Sequence, residues 1–445
     1  MSHEPGEVPD IDALVGMLCY ATSAGGIGGR LRLDPEDFIV RERLLDGSSA
    51  SEHFEGGELS GSGDFLRCIL VKANMDHFSA IDLAAKAMGC RPKDVGFAGM
   101  KDKRALTAQF ATFPVDRIRI RGMAPKAIGG VKLIPERFVS ERLRPGLSAG
   151  NAFEIRVRGA RSDPTGPIGA LAELRALGGA PNFYGYQRFG IVRPVTHMVG
   201  RLLVKGDLRA ALMEFLARPF GSEPPDAMEA RRELYEGGDL KRALAAYPKR
   251  LRLERIALKA LERNPSDALG AFRRLPYGLR RLFVEAYQSY LFNRALSERM
   301  RRGLGLKLVE GGDLAIPLAA DGSPRGAPEP VGDLEGANLV NEGRACLVIP
   351  VFGYGVRLSE GAQGEIERRI LEEEGISPRA FHIGVMPEVS CAGKYRRALM
   401  PIEGIEAEGL GGGDFRFRFS LPREGYATVA MRELIKPEDP AGQGF

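Results

Sequence analysis

Apolar and polar residues alternate along this chain with two different periods, and the change of period divides it. Around position 150, GNAFEIRVRG sets Phe153, Ile155 and Val157 against Glu154, Arg156 and Arg158, which predicts a strand with one wet face. DFRFRFSL (414–421) repeats the pattern, with Phe415, Phe417, Phe419 and Leu421 alternating with Arg416 and Arg418. PEDFIVRERL (35–44) predicts a strand after a turn, and the short apolar run FLRCILVK (65–72) predicts a buried one. Asp76 is placed to cap a helix running through AIDLAAKAMG (80–89), with Gly89 near its end. VGFAGM (95–100) predicts another strand, then a loop around Asp102, then the strand-like ALTAQFATF (105–113).

From about 198 to 302 the period becomes helical. Arg252, Arg255 and Lys259 recur at three- and four-residue spacing and share a helix face. Phe283, Tyr287, Tyr290, Leu291 and Arg294 line one side of the segment ending in VEAYQSYLFNRALSERM (284–300). Pro248, Pro265 and Pro276 punctuate the helices. Strand-like pieces return in LKLVEGGDLAIPL (306–318) and RACLVIPVFGYGV (344–356), separated by the Pro/Gly-rich loop AADGSPRGAPEPVGD (319–333). A helical YATVAMRELIK (426–436) closes the chain's last sheet-like stretch. Mixed α/β material at both ends, with a helix-rich block between, predicts one domain interrupted by an insertion. Three domains in series is the alternative, but a final piece of about 60 residues is marginal as an independent fold.

Composition sharpens this only in places. The chain has 445 residues, 44% hydrophobic and 27% charged, the balance of a globular protein, and no apolar run long enough to span a membrane. The start, MSHEPGEVPD, is acidic and lacks the basic and apolar stretches of a signal peptide, so a cytoplasmic setting is expected. Five cysteines lie scattered without a CxxC, and the five histidines form no HExxH, so neither a disulfide framework nor a metal is expected. Net charge is +5, but residues 201–302 hold 22 Lys and Arg against 13 Asp and Glu. A basic block on an otherwise mildly acidic chain suggests a polyanion partner, or simply a solvated Arg-rich surface.

Two stretches invite a chemical reading. SAGGIGGRL (23–31) is Gly-rich but lacks GxxxxGK[ST] spacing and a leading strand, so a flexible turn fits it better than a phosphate cradle. GFAGMKDKRALTAQF (96–110) places one carboxylate, Asp102, among Lys101, Lys103 and Arg104. Such an acid is commonly a surface charge. Loops after strands also carry reacting groups, and a cation nearby favours the ionised form, which can act as nucleophile or base.

That segment resembles the signature of the TruD family of tRNA pseudouridine synthases. Further segments resemble the family in the same order: PEDFIVRE (35–42), VKANMD (71–76), GNAF (150–153), NFYGYQRFG (182–190), AYQSYLFNRALSER (286–299) and YATVAMREL (426–434). The resemblance implies an α+β fold. A catalytic domain with a mixed or antiparallel sheet, residues 1–195 plus 385–445, is interrupted by a basic, helix-rich α/β insertion, residues 196–384. It implies an enzyme that isomerises uridine to pseudouridine in tRNA without cofactor or metal, with position 13 of the D-arm as the first candidate. Asp102 matches the family's catalytic aspartate, and Arg32 stands where the family has a basic residue suited to pair with it. Phe38, Asn151 and Phe153 match positions lining the uridine pocket. Tyr426 stands where relatives often have Phe. The RNA is expected between insertion and catalytic domain, and the protein to act as a monomer.

The residue chemistry agrees with this reading. A base must leave its stack before an acid can reach it, and Phe38, Phe153 and Tyr426 offer faces to hold it. Asn151 can donate to and accept from a uracil edge. Core packing accounts equally for Phe38 and for Phe153, which alternates with Ile155 and Val157. In NFYGYQRFG, Arg188 can touch RNA or pair with a carboxylate within a structural turn. Asp102 can attack C1′, add to C6, or take the 2′-hydrogen to give a glycal; each route needs an ionised carboxylate shielded from water. A non-catalytic RNA-binding or RNA-chaperone protein of the same fold is the alternative. It explains the basic block but not the GMKDKR loop together with GNAF.

Overall fold

The computed structural model describes residues 8–118, 125–161, 167–332 and 334–445. Residues 1–7 of the acidic start and position 333 of the Pro/Gly-rich loop lie outside them. The chain forms two compact units. One comprises Ala24–Ala180, Met400–Pro437 and Gly442–Phe445; the other Met1–Ser23, Pro181–Leu399 and Glu438–Ala441.

The first unit is built on a mixed sheet. Among the described residues its strands are β1 (Phe38–Leu44), β2 (Phe65–Ala73), β3 (Gly96–Phe97), β4 (Leu106–Pro114), β5 (Lys126–Ile128), β6 (Val131–Val139), β7 (Ser148–Val157), β8 (Glu403–Gly411) and β9 (Asp414–Pro422). Their order is β8-β9-β7-β1-β4-β2-β6-β5, with β3 paired to β4. β1 and β4 run parallel; the other neighbours are antiparallel. β2 and β4 are buried on both faces, which is why their sequences read as continuous apolar runs. β7 and β9 have one face in the core and one half-wet, which is why theirs alternate. The helix His77–Met88 packs its Ala80, Ile81, Ala84, Ala85 and Met88 onto Leu66, Cys68 and Leu70 of β2 and Leu133 of β6. Asp76 caps it by accepting from Ser79 N at 3.0 Å, worth about 1 kcal/mol, and Gly89 ends it at φ 76°. The expected strand over 95–100 is pairing-competent only at Gly96 and Phe97. A side chain at Gly96 would stand 2.4 Å from Thr112 Oγ1, and the chain leaves the sheet after Phe97 to form the Asp102 loop.

The second unit is mainly helical: Thr196–Val204, Leu208–Ala217, Pro225–Gly237, Leu240–Ala246, Arg252–Arg263, Ala268–Arg273, Tyr277–Arg301 and Gly361–Glu374, among others. A four-stranded antiparallel sheet accompanies them, in the order Glu329–Pro330, Leu314–Pro317, Ala345–Val351, Lys394–Arg397. Tyr277–Arg301 is the unit's axis. The expected one-sided stripe is in fact burial nearly all round, because Ala286, Phe292, Asn293, Ala295 and Ser297 are covered as well. The boundaries of this unit fall at 23/24, 180/181, 399/400, 437/438 and 441/442. The early residues join this unit through buried polar contacts with the axis: Leu18 N donates to Ser297 Oγ at 2.9 Å, and Asn293 Nδ2 to Val15 O at 3.0 Å.

Candidate active site

The pairing of β1 with β7 decides which side chains share a face. Phe38 lies opposite Ile155, Val40 opposite Phe153, and Glu42 opposite Asn151. Directly opposed residues point the same way, so Phe38, Glu42, Asn151 and Phe153 belong to one face of the sheet. Glu42 is fully buried there. Its carboxylate takes Lys101 Nζ at 2.5 Å and the backbone N–H of Phe110 at 2.9 Å. Lys101 is thereby an internal cation, anchored below the loop that carries Asp102.

Asp102 itself is half-exposed, its side chain 48% accessible. Arg32 NH2 lies 3.3 Å from Asp102 Oδ2. The guanidinium is deeply buried, its carbon 4.0 Å above the Phe38 ring centroid, and its NH1 donates to Gly444 O at 3.3 Å. Burial pushes this arginine below its ordinary range, and Asp102 opposes that push. Arg32 holds φ 56°, a left-handed conformation uncommon for a side-chain-bearing residue and found disproportionately where geometry serves a site. The backbone is fixed in part by the chain's last residues: Leu31 N donates to Gln443 O at 2.8 Å, and a side chain at Gly444 (φ +86°) would meet Leu31 O at 2.2 Å.

A second lysine secures the loop by its backbone. Lys72, at the end of β2, is 1% exposed; its Nζ donates to Asp102 O at 2.5 Å and Met75 O at 2.9 Å. Burial pulls it down to about 8, against the opposing charges of Asp102 and Asp76. Of the cations near Asp102, two therefore hold the loop (Lys72, Lys101) and one faces the carboxylate (Arg32). Lys103 and Arg104 are exposed and, among the described residues, enter no ion pair.

The expected pocket residues divide. Asn151 is half-buried, and its Oδ1 is enclosed without a hydrogen-bond partner, an acceptor waiting for a donor. Phe38 and Phe153 are core residues, 1% and 7% exposed. They meet edge to face at 6.2 Å, Phe153 stacks on Phe419 at 5.5 Å, and one face of Phe38 is covered by Arg32. Both rings are packed against other side chains, so neither stands as an open stacking surface. Tyr426 is half-buried and heads the helix Ala427–Ile435, which follows β9, where Leu421 pairs with Asn151. Arg188 lies in the other unit. It pairs with Glu285 at 3.3 Å and overlies the Tyr184 ring at 5.4 Å. Its NFYGYQRFG segment is a pinned turn: Tyr184 N donates to Asn293 Oδ1 at 2.8 Å and the Tyr186 hydroxyl to Asp12. Glu42 and Lys72 were missed in the sequence, although each left a signal there: Glu42 is a charge on the apolar face of PEDFIVRERL, and Lys72 ends a buried apolar run.

The arrangement offers one half-open carboxylate beside a buried guanidinium that rests on the Phe38 ring, and, on the same face of the sheet as Phe38, an amide acceptor without a partner, Asn151 Oδ1. Among the described residues no group of His, Cys, Asp and Glu could hold a metal ion, and no helix is long and apolar enough to cross a membrane. The family model described as tRNA pseudouridine synthase D (TruD) matches residues 14–434. A Methanopyrus kandleri protein named "Probable tRNA pseudouridine synthase D" is 42% identical over 387 residues, covering 86% of this chain and 88% of its own. A protein of the same name from Methanosarcina acetivorans is 35% identical, covering 97% and 98%. A crystal structure described as that of the "Putative tRNA pseudouridine synthase D (TruD)" from Methanosarcina mazei superposes with a TM-score of 0.82 at 34% identity, covering 98% of this chain and 100% of that one.

Proposed function

Because the chain belongs to the TruD family of tRNA pseudouridine synthases, we propose that it isomerises a uridine of tRNA to pseudouridine with Asp102 as the catalytic carboxylate. The observation that carries this is the pairing of that half-open carboxylate with the buried Arg32 at 3.3 Å, on a loop held down by Lys72 and Lys101.

The reaction breaks the N1–C1′ bond, turns the uracil and joins C1′ to C5; the hydrogen on C5 then leaves as a proton to solvent, and N1 takes up a proton. The target base is extruded into the site, where Asn151 Oδ1 accepts from the uracil N3–H and Tyr426 packs against the ring. Arg32 aims the Asp102 carboxylate and balances its charge. The exposed half of that carboxylate is where the nucleoside enters; the substrate supplies the wall against water that the chain leaves open. Asp102 then acts at C1′, at C6 or on the 2′-hydrogen. Phe38 and Phe153 support the base from beneath, through Arg32 and Phe419.

Residues 1–195 plus 385–445 carry the chemistry in this reading, and the 196–384 insertion helps hold the RNA, Arg188 included. The enzyme works in the cytoplasm, as a monomer, without metal or cofactor. The substrate is tested by incubating the purified chain with unmodified tRNA transcripts and mapping pseudouridine. Modification confined to position 13 of the D-arm is expected; a transcript left unmodified throughout would contradict the activity, and modification elsewhere would contradict the position.

A further inference from the structure

We propose that Leu33, Phe78 and Met100 form an apolar platform on which the unpaired RNA bases flanking the target uridine stack. This rests on the proposed function, since it names how the same site grips its substrate.

Large apolar side chains standing in water are common singly; a group of them beside a reactive centre is informative. In the sheet-bearing unit, the exposed large hydrophobics among the described residues are Leu33, Leu45, Phe78, Met100 and Ile168. Three of them are tethered to Asp102. Leu33, 52% exposed, follows Arg32, whose guanidinium meets the carboxylate. Met100, 69% exposed, precedes Asp102 by two residues. Phe78, 62% exposed, lies three residues after Met75, whose carbonyl shares the Lys72 ammonium with the carbonyl of Asp102.

The platform is braced from below. The Phe78 ring meets His77 edge to face at 5.5 Å, and the buried His77 meets Phe97 at 4.6 Å. Beside them stand the exposed Lys103 and Arg104, which carry no ion pair among the described residues. Uncommitted cations next to exposed apolar and aromatic side chains are the composition that binds single-stranded nucleic acid: the cations take phosphates, and the rings take base faces of any sequence. An enzyme that extracts one base from a stack leaves its neighbours without a partner, and such a surface replaces it.

The test uses the full chain and a tRNA transcript carrying 5-iodouridine immediately 5′ or 3′ of the target. Irradiation is expected to cross-link one of these positions to the peptide containing Phe78 or Met100. Phe78→Ala with Met100→Ala is expected to raise the half-saturating RNA concentration in single-turnover assays about tenfold while the saturated rate changes little, and Phe78→Trp to restore tight binding. Both side chains are exposed, so the double variant should melt like wild type. Cross-links confined to other peptides, or unchanged half-saturation in the folded double variant, would overturn the platform. Neither readout depends on which residue does the chemistry: an active Asp102→Asn variant would refute the catalytic assignment and leave the cross-link standing.

Discussion

The helical block 201–302 and the short loop 101–104 are both rich in cations, and each divides them between pairs and open positions in its own way. In the block, Arg201 pairs with Glu374 at 2.6 Å, Arg231 with Glu223 and Glu254 at 2.9 and 2.7 Å, and Arg242 with Glu233 at 2.7 Å. Arg250 pairs with Asp226, Arg280 with Glu388, and Arg299 with Asp313 at 2.7 Å. Arg255, expected on a basic face with Arg252 and Lys259, donates to the carbonyls of Leu244 and Tyr247 that end the preceding helix. In the loop, Lys101 is buried against Glu42, while Lys103 and Arg104 remain open. A count of charge along the chain therefore hides which cations are open: Lys205, Lys241, Lys249, Arg252, Lys259 and Arg263 of the block, like Lys103 and Arg104 of the loop, are exposed and enter no ion pair among the described residues. The acids that balance the block include Asp313, Glu373, Glu374 and Glu388, which lie beyond its end in sequence but against it in space.

The strongest way to probe this contrast is to break a buried pair on each side. Arg299→Met and Lys101→Met each strand a buried carboxylate, and each should cost about 3–5 kcal/mol in denaturant unfolding. Only Lys101→Met should also lower isomerisation in the protein that remains folded, because it frees the Asp102 loop. Next in size, Arg32→Met should reduce turnover about a hundredfold with RNA affinity nearly kept, measured as tritium release against filter binding.

A pH series sharpens the comparison further. Lys72 is held at about 8 in the folded chain against 10.5 for the ordinary side chain. Between those values the unfolded chain binds the extra proton, so this group's contribution makes stability rise with pH from about 8 to about 10.5. Below about 8 both states are protonated and its burial penalty is fully present. The stability difference between wild type and Lys72→Met should follow that window by roughly 1–3 kcal/mol; a flat difference would place the lysine in water. The smallest effect concerns salt. Neutralising Lys103 and Arg104 should reduce the salt dependence of tRNA binding by about one to two units of log–log slope, whereas neutralising Arg242 and Arg250 should barely change it.

The sequence made the local features legible. Asp76 as a cap, Gly89 as a stop, the two-sided burial of β2 and the alternation of β7 and β9 all follow from spacing within about ten residues. Asp102, Arg32 and Asn151 came from motif resemblance, and the structure adds that Arg32 meets Asp102 across a separation of 70 residues. Contacts of longer reach left weaker traces. Lys72 holding the backbone of Asp102, Gly444 meeting Arg32, and Glu374 meeting Arg201 join segments whose local patterns say nothing of one another. Phe38 and Phe153 show the limit of periodicity: an inward-facing ring reads the same whether it will line a cavity or floor it.

The most direct test of the account is the Asp102→Asn chain assayed on tRNA labelled with tritium at uridine C5. The account predicts tRNA binding within about twofold of wild type and isomerisation reduced by at least about a thousandfold. Tritium release at the wild-type rate would contradict it.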